Sequence, residues 1–285
     1  MTVNHIDDLK FVAFDLESAV PYPEGHEIDI WQDDVGISII ATETYTGVLT
    51  SGVRQLWYSR NAAGLPAKRM AAHDLLNFLK YLEEMTALGA PALSWNGQGF
   101  DFPLLGIEIT KNMTKPTALT VWRRIRKLSA AHYDPMLQAW WKRGYPIGLD
   151  ATGRGLGCGR KLKEADGEEV SGASAAELWQ KGVHGLVMLY VAADAALTAS
   201  IAREVLAREH QGLIWYTRKG AINFVRFVDG LRTVAEVYSY RAPARPLMSP
   251  LRAFDWWTQK APDPPDPSTR NMLEALETAA FGKEG

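Results

Sequence analysis

Apolar and polar positions along the chain change period several times, and each change marks an element. Lys10 to Leu16 (KFVAFDL) is a short apolar run ending in acids, and Val35 to Thr42 and Gly52 to Tyr58 cluster or alternate β-formers in the same way. Three successive strands in a meander are expected there. The connection from Ser18 to Asp34 is acidic, contains proline and is too long for a tight turn, so it reads as a surface loop at a strand end. Ala71 to Leu88 repeats apolar residues at i, i+3 and i+4 and stops at Gly89, the pattern of an amphipathic helix. Ala92 to Trp95 reads as a strand punctuated by Asn96-Gly97, and Phe100 to Leu105 as the opening of another helix. His132-Tyr-Asp134 reads as the end of a further short strand, with helical segments after it. His184 to Arg208 is Ala-rich and strongly helical.

After Gln211 the pattern changes. Leu213 to Tyr216 and Ala221 to Phe227 flank Arg218-Lys219-Gly220 like the arms of a hairpin, and aromatic and basic residues become frequent. A Pro-rich run, Ala261 to Pro267, precedes a last amphipathic segment, Asn271 to Phe281. These shifts imply a main domain over residues 1–210 and a small C-terminal accessory region over 211–285, offering a surface for a partner protein. The class expected is α/β, a mixed sheet flanked by helices.

Composition narrows the setting. With 285 residues, 47% hydrophobic and 22% charged, the chain has an ample core and no signature of disorder. A single cysteine, Cys158, excludes an internal disulfide, and no Cys/His set has zinc-finger spacing. The start, MTVNHIDDLKFVAFDLE, carries acids where a signal peptide needs a basic stretch and an apolar run, and no later segment is expected to reach the roughly 18 apolar residues of a membrane span. A cytoplasmic protein without a membrane partner is the expectation. The net charge of -2 argues against coating nucleic acid by bulk electrostatics. Local basic segments, Trp122 to Lys127 and Arg160 to Lys163, read equally as phosphate tracks or as solvated helix faces.

Candidate chemistry rests on acids. Asp15 and Glu17 are two apart on an expected strand, so both carboxylates project from one face, close enough to share a cation. An isolated D-x-E is common by chance, but this pair ends an apolar strand, where a charge usually has a partner or a task. Asp101 follows a strand-turn signal in Ser94-Trp-Asn-Gly-Gln-Gly-Phe-Asp101, in the first turn of a helix, where an acid also serves the helix dipole. Tyr190 and Asp194 are four apart and share one helix face. The alanines at 192, 193, 195 and 196 leave room for a metal and a phosphate, although small residues also pack helices tightly.

The succession Phe14-Asp15-Leu-Glu17, Asn96-Gly-x-x-Phe-Asp101 and Tyr190-x-x-x-Asp194 resembles the three exonuclease motifs of the DEDD superfamily, tyrosine subclass, which includes the proofreading domains of family B DNA polymerases. The resemblance spans roughly residues 10 to 205. Gly148 to Gly157 and Glu177-Leu-Trp179 are also similar to segments of that group. It implies an RNase H-like fold and a metal-dependent 3′-to-5′ exonuclease acting on single-stranded DNA or 3′ ends, with RNA the close rival. By the same resemblance, Asp15, Glu17, Asp101 and Asp194 hold two divalent cations, Mg²⁺ or Mn²⁺. Asp15 bridges both ions, Glu17 and Asp194 complete the site that activates water, and Asp101 supports the second ion. Two such ions clamp the attacking water and the leaving 3′ oxygen. Tyr190 orients the water, since a phenol with an ordinary pKa near 10 is a poor base at neutral pH. Asn96 and Phe100, flanking Asp101, are candidate substrate contacts. Other readings on the same fold are a catalytically silent nucleic-acid-binding or scaffold module and a structure-specific endonuclease.

Several features fall away. Gly153-Arg-Gly-Leu-Gly-Cys-Gly159 lacks the strand and the Gly-Lys-Ser/Thr of a phosphate loop, and Cys158 has no persuasive His partner. His132 and Asp134 read as a hydrogen-bonded strand end rather than metal ligands. Trp215, Tyr216, Trp256 and Trp257 read as stabilising the accessory region, or with Arg218, Lys219 and Arg226 as extending a nucleic-acid track.

Overall fold

A computed structural model describes residues 10–23, 28–47, 52–165, 167–207, 212–227 and 230–239. The centre of the fold is β1 (Lys10–Ser18), a nearly unbroken apolar run that is covered on both faces. β2 (Ile37–Thr46) pairs with it antiparallel along its whole length, with a register irregularity between Glu17 and Ser18, and β3 (Val53–Trp57) pairs antiparallel with β2. α1 (Ala72–Ala87) then crosses to the other edge of β1, where β4 (Ala92–Leu93) pairs in parallel, giving the order β3-β2-β1-β4. The meander and α1 agree with the sequence pattern.

β4 is shorter than the strand expected to Trp95. The chain leaves the ladder at Ser94, whose N–H donates to Tyr133 O, and turns through Asn96 in the left-handed region at φ 69°. The strand expected to end at Asp134 is reduced to Tyr133, which bridges Leu93 in parallel and Thr233 antiparallel. The remaining elements are α2 (Asp101–Thr110), α3 (Lys115–Ala131), α4 (Pro135–Arg143), α5 (Leu149–Leu156), the two-residue strands β5 (Glu164–Ala165) and β6 (Glu168–Glu169), α6 (Gly172–Gln180), α7 (His184–Ala207), the hairpin β7 (Gly212–Tyr216) and β8 (Ile222–Arg226), and α8 (Val234–Tyr238).

Strand alternation sorts β1 between two layers. Val12, Phe14 and Leu16 face the largest core, with Phe78 of α1, Phe102 of α2, Trp122 of α3 and Tyr238 of α8. Phe14 meets Phe78 and Phe102 edge-on, with centroids 5.6 and 5.5 Å apart. Phe11 and Ala13 face the other way, onto Ala199 and Ala202 of α7. Ile39 and Ala41 of β2 pack with Val187, Tyr190, Val191 and Ala195 of the same helix. Alanines thus bring α7 close against the sheet, on the face that also receives Asp15 and Glu17.

α7 corrects one expectation: His184–Leu206 is long and apolar enough to cross a bilayer by length and composition. Most of it is buried inside the fold, consistent with the core helix of a soluble protein. The boundary expected near residue 210 falls between α7 and β7. Beyond it, Leu213, Trp215, Val225 and Phe227 share a core with Leu197, Ile201 and Val205 of α7 and Leu156 of α5, while Val234 and Val237 join the largest core. The Pro-rich run, the Asn271 to Phe281 segment, Trp256 and Trp257 lie outside the described residues.

Candidate active site

Asp15 and Glu17 leave β1 on its α7 side, and Asp194, buried to 2% exposure, meets them from the helix. Each of the three offers a carboxylate oxygen within 4.8 Å of the others, a spacing suited to a cation between them. Asp194 Oδ1 is buried without a hydrogen-bond partner, a vacancy in the protein's own bonding that a hard cation would fill. The donor set, all carboxylate oxygen, fits Mg²⁺ or Mn²⁺.

Asp101 sits at the first position of α2, buried, and close enough to Asp15 for that charge to raise its own carboxyl, although it is not one of the three converging acids. Its approach depends on the turn before it. A Cβ on Gly97 would lie 1.8 Å from Ser94 Oγ and 3.2 Å from Asp101 Oδ2, so any side chain there would displace the turn. Buried Asp134 pins the same turn: its Oδ1 accepts from the Asn96 and Leu137 N–H groups (3.2 and 3.0 Å) and its Oδ2 from Gln98 N–H (3.3 Å). Asp134 also caps α4, so one carboxylate couples the turn bearing Asp101 to the next wall of the site.

The charges are under strain. Burial, then the Asp194 charge, pushes the Asp15 carboxyl up to about 8, with Lys161 opposing. Burial followed by Asp15 and Asp194 holds the Glu17 carboxyl well above the ordinary range, and burial followed by Asp15 and Asp134 does the same for Asp101. Burial raises the Asp194 carboxyl too, against Lys161. Burial, then Asp194 and Glu17, raises the Tyr190 phenol, so it is a protonated hydrogen-bonding group at neutral pH.

Lys161 is the residue that sequence reasoning missed as part of this site. Its Nζ lies 2.5 Å from Asp194 Oδ2 and 5.0 Å from the centre of the Tyr190 ring. Burial works against the ammonium, but Asp194 and Tyr190 outweigh it and keep the lysine charged. The basic run Arg160 to Lys163 was the available signal, but nothing in its spacing relates it to Asp194. Asp150 was missed as well: its Oδ1 accepts from Lys161 N–H (3.1 Å) and its Oδ2 pairs with Arg154 Nε (3.1 Å).

A cleft of about 800 Å³ opens over these groups, lined by Asp15, Asn96, Asp150 and Lys161 on its polar side and by Trp95, Met136, Trp140 and Ile147 among its apolar residues. Trp95 is held there by its indole N–H, which donates to Ile147 O (3.0 Å). Asn96 lines the cleft, whereas Phe100 packs half-buried against the largest core. The Trp122 to Lys127 segment lies in α3, where Trp122 is buried and Arg124 pairs with Glu83 of α1 (2.6 Å). Cys158 packs beside the core under the hairpin, and Gly157 ends α5 in the left-handed region, so that glycine run is a helix terminus. No protein-family model and no curated protein matches the chain.

Proposed function

We propose that this chain is a metal-dependent 3′-to-5′ exonuclease with an RNase H-like fold, acting on single-stranded DNA or frayed 3′ ends. The observation that carries this reading is the convergence of Asp15, Glu17 and Asp194 within 4.8 Å, with Asp101 electrostatically coupled to them and Tyr190 one helical turn before Asp194. These are the residues on which the DEDD resemblance rests. The sheet order, three antiparallel strands followed by a parallel β4 and the parallel Tyr133 bridge, supports the fold assignment.

Asp15, Glu17 and Asp194 would hold the cations, with Asp101 at their margin. The cations would supply Lewis acidity, lowering the pKa of water and neutralising charge that develops on the phosphate. The protein's own groups do the rest. Tyr190, protonated and beside Asp194, donates a hydrogen bond that orients the attacking water. Lys161 holds Asp194 and Tyr190 in register and supplies a positive charge to the phosphate at the cleft floor. Trp95, Trp140 and Met136 offer apolar surface for a terminal base, and Asn96 offers an amide to hydrogen-bond it. A silent binding module would have no use for buried acids facing phosphates.

The test compares 3′-labelled and 5′-labelled single-stranded DNA and RNA of equal length with Mg²⁺, Mn²⁺ or EDTA, beside Asp15→Asn. Stepwise loss from the 3′ end that requires metal and vanishes in the variant is the expected result, and the better substrate gives the sugar preference. Intact substrates with a folded protein would rule the nuclease out.

A further inference from the structure

Two segments that are neighbours in the fold each carry a local excess of positive charge. Residues 142–163 carry six Lys/Arg and one Asp, and residues 212–227 carry three Lys/Arg and no acid, in a chain whose net charge is -2. The fold joins them. α5 packs so tightly on β7 that a Cβ on Gly155 would lie 2.3 Å from Ile214 O, and the Arg143 guanidinium lies 5.5 Å from the centre of the Trp215 ring.

The hairpin has two unlike faces. Leu213, Trp215 and Val225 turn into the core under α5 and α7. The opposite face carries the cross-strand pairs Ile214 with Phe224 and Tyr216 with Ile222, of which Ile214 is half-buried at the margin of that core. Phe224 and Ile222 are 66% and 63% exposed, an unusual state for large apolar side chains side by side on a strand. This face leads back to the cleft: Asp150 lines the cleft and pairs with Arg154, whose guanidinium lies 5.8 Å from the centre of the Tyr216 ring. Arg218, Lys219 and Arg226 on the hairpin are all exposed.

We propose that the outer face of β7–β8, with Arg154, is a docking surface for the 5′-ward continuation of the single-stranded DNA whose 3′ end occupies the cleft. This inference rests on the nuclease reading. Its chemistry is that of single-strand grooves in general, where aromatic side chains stack on bases of any sequence and cations track the phosphates. It also reconciles an acidic catalytic floor with a polyanionic substrate: attraction comes from the adjoining basic face, and the acids are left to hold cations.

The test uses the full chain and two DNA probes, a trinucleotide that fills only the cleft and a strand of about 20 nucleotides that also reaches the hairpin. Affinities are measured in EDTA at several salt concentrations for wild type, Phe224→Ala/Ile222→Ser and Arg218→Glu/Lys219→Glu. Each variant is expected to bind the long strand about tenfold or more weakly and the trinucleotide as wild type does. The charge variant should also lower the slope of log affinity against log salt by roughly 1 to 1.5. Long-strand affinity unchanged in both variants overturns the proposal. So does a fall in Tm in the Phe224→Ala/Ile222→Ser variant with no loss of binding, which would make this face a packing surface of the chain itself. Cleavage of the long strand by wild type is scored in parallel with Mg²⁺, so a failure of the nuclease reading is distinguished from a failure of the surface.

Discussion

Four buried carboxyl groups and one ammonium lie together, with Asp15 and Lys161 facing the cleft, and their protonation bears on the stability of the protein in EDTA. The Asp15 carboxyl titrates near 8 when folded and near 3.9 when unfolded. Between those values the folded state holds the extra proton, so the stability it lends is complete below about pH 4 and lost as pH rises through 8. The Tm measured in EDTA is therefore expected to fall from pH 5 to pH 8, and this slope should flatten in Asp15→Asn, which cannot ionise. A wild-type Tm independent of pH in EDTA would contradict the buried acid cluster. On the proposed nuclease reading, the same variant should lose activity by on the order of 10²-fold or more, the effect of several kcal/mol of lost charge stabilisation. Lys161→Met tests the other sign. It leaves both Asp194 oxygens without the ammonium, and should destabilise the metal-free protein by about 1–3 kcal/mol. Mg²⁺ should then raise the Tm of the variant more than that of wild type, as differential scanning calorimetry would show.

At the scale of elements, the site is a consequence of how α7 lies on the sheet. β1 sends alternate residues to opposite layers, which puts Asp15 and Glu17 on the face where Ala13 meets Ala199 and Ala202. Because those contacts are small, the helix approaches closely enough for Asp194 to join the strand acids. A second close approach joins α5 to the hairpin at Gly155. Gly155→Val would force apart β7 and the helix that presents Asp150 and Arg154, at a cost of about 1–3 kcal/mol for an overpacked contact. Urea unfolding is the direct measurement, and a variant as stable as wild type would mean that α5 and β7 are not held together as described.

At the scale of the whole molecule, residues 212–227 and 230–239 pack with the rest of the described fold. Leu213, Trp215, Val225, Phe227, Val234, Val237 and Tyr238 are all buried, in cores shared with α5, α7, α1 and α3. At about 1.5–3 kcal/mol for each large apolar side chain, the burial lost with them is comparable to the 5–15 kcal/mol that holds a typical domain together. A chain ending at residue 210 is therefore expected to lose cooperative unfolding and to expose apolar surface, seen as a broad thermal transition and dye binding. A sharp transition in that truncation would instead support the division suggested by composition.

What the sequence determined by itself are the features set by local periodicity. The three-strand meander, α1, the long helix from His184 and the hairpin after Gln211 follow from residue spacing alone. The pairs Asp15/Glu17 and Tyr190/Asp194 are likewise local, because two residues along a strand or four along a helix share a face whatever surrounds them. Tertiary structure decided what depends on contacts between distant segments. Tyr133 becomes a single bridge because its partners, Leu93 and Thr233, come from either side of it in sequence. Lys161 enters the site because the chain after α5 returns to α7, and Asp134 joins it by accepting the amides of a turn 36 and 38 residues earlier. The region after residue 210 differs in composition from the rest, yet composition reports neither packing nor burial. Leu213, Trp215, Val225 and Phe227 are inside because α5 and α7 offer surfaces that they cover, while Phe224 and Ile222 of the same hairpin stay exposed, a sorting by three-dimensional complementarity that no local pattern encodes.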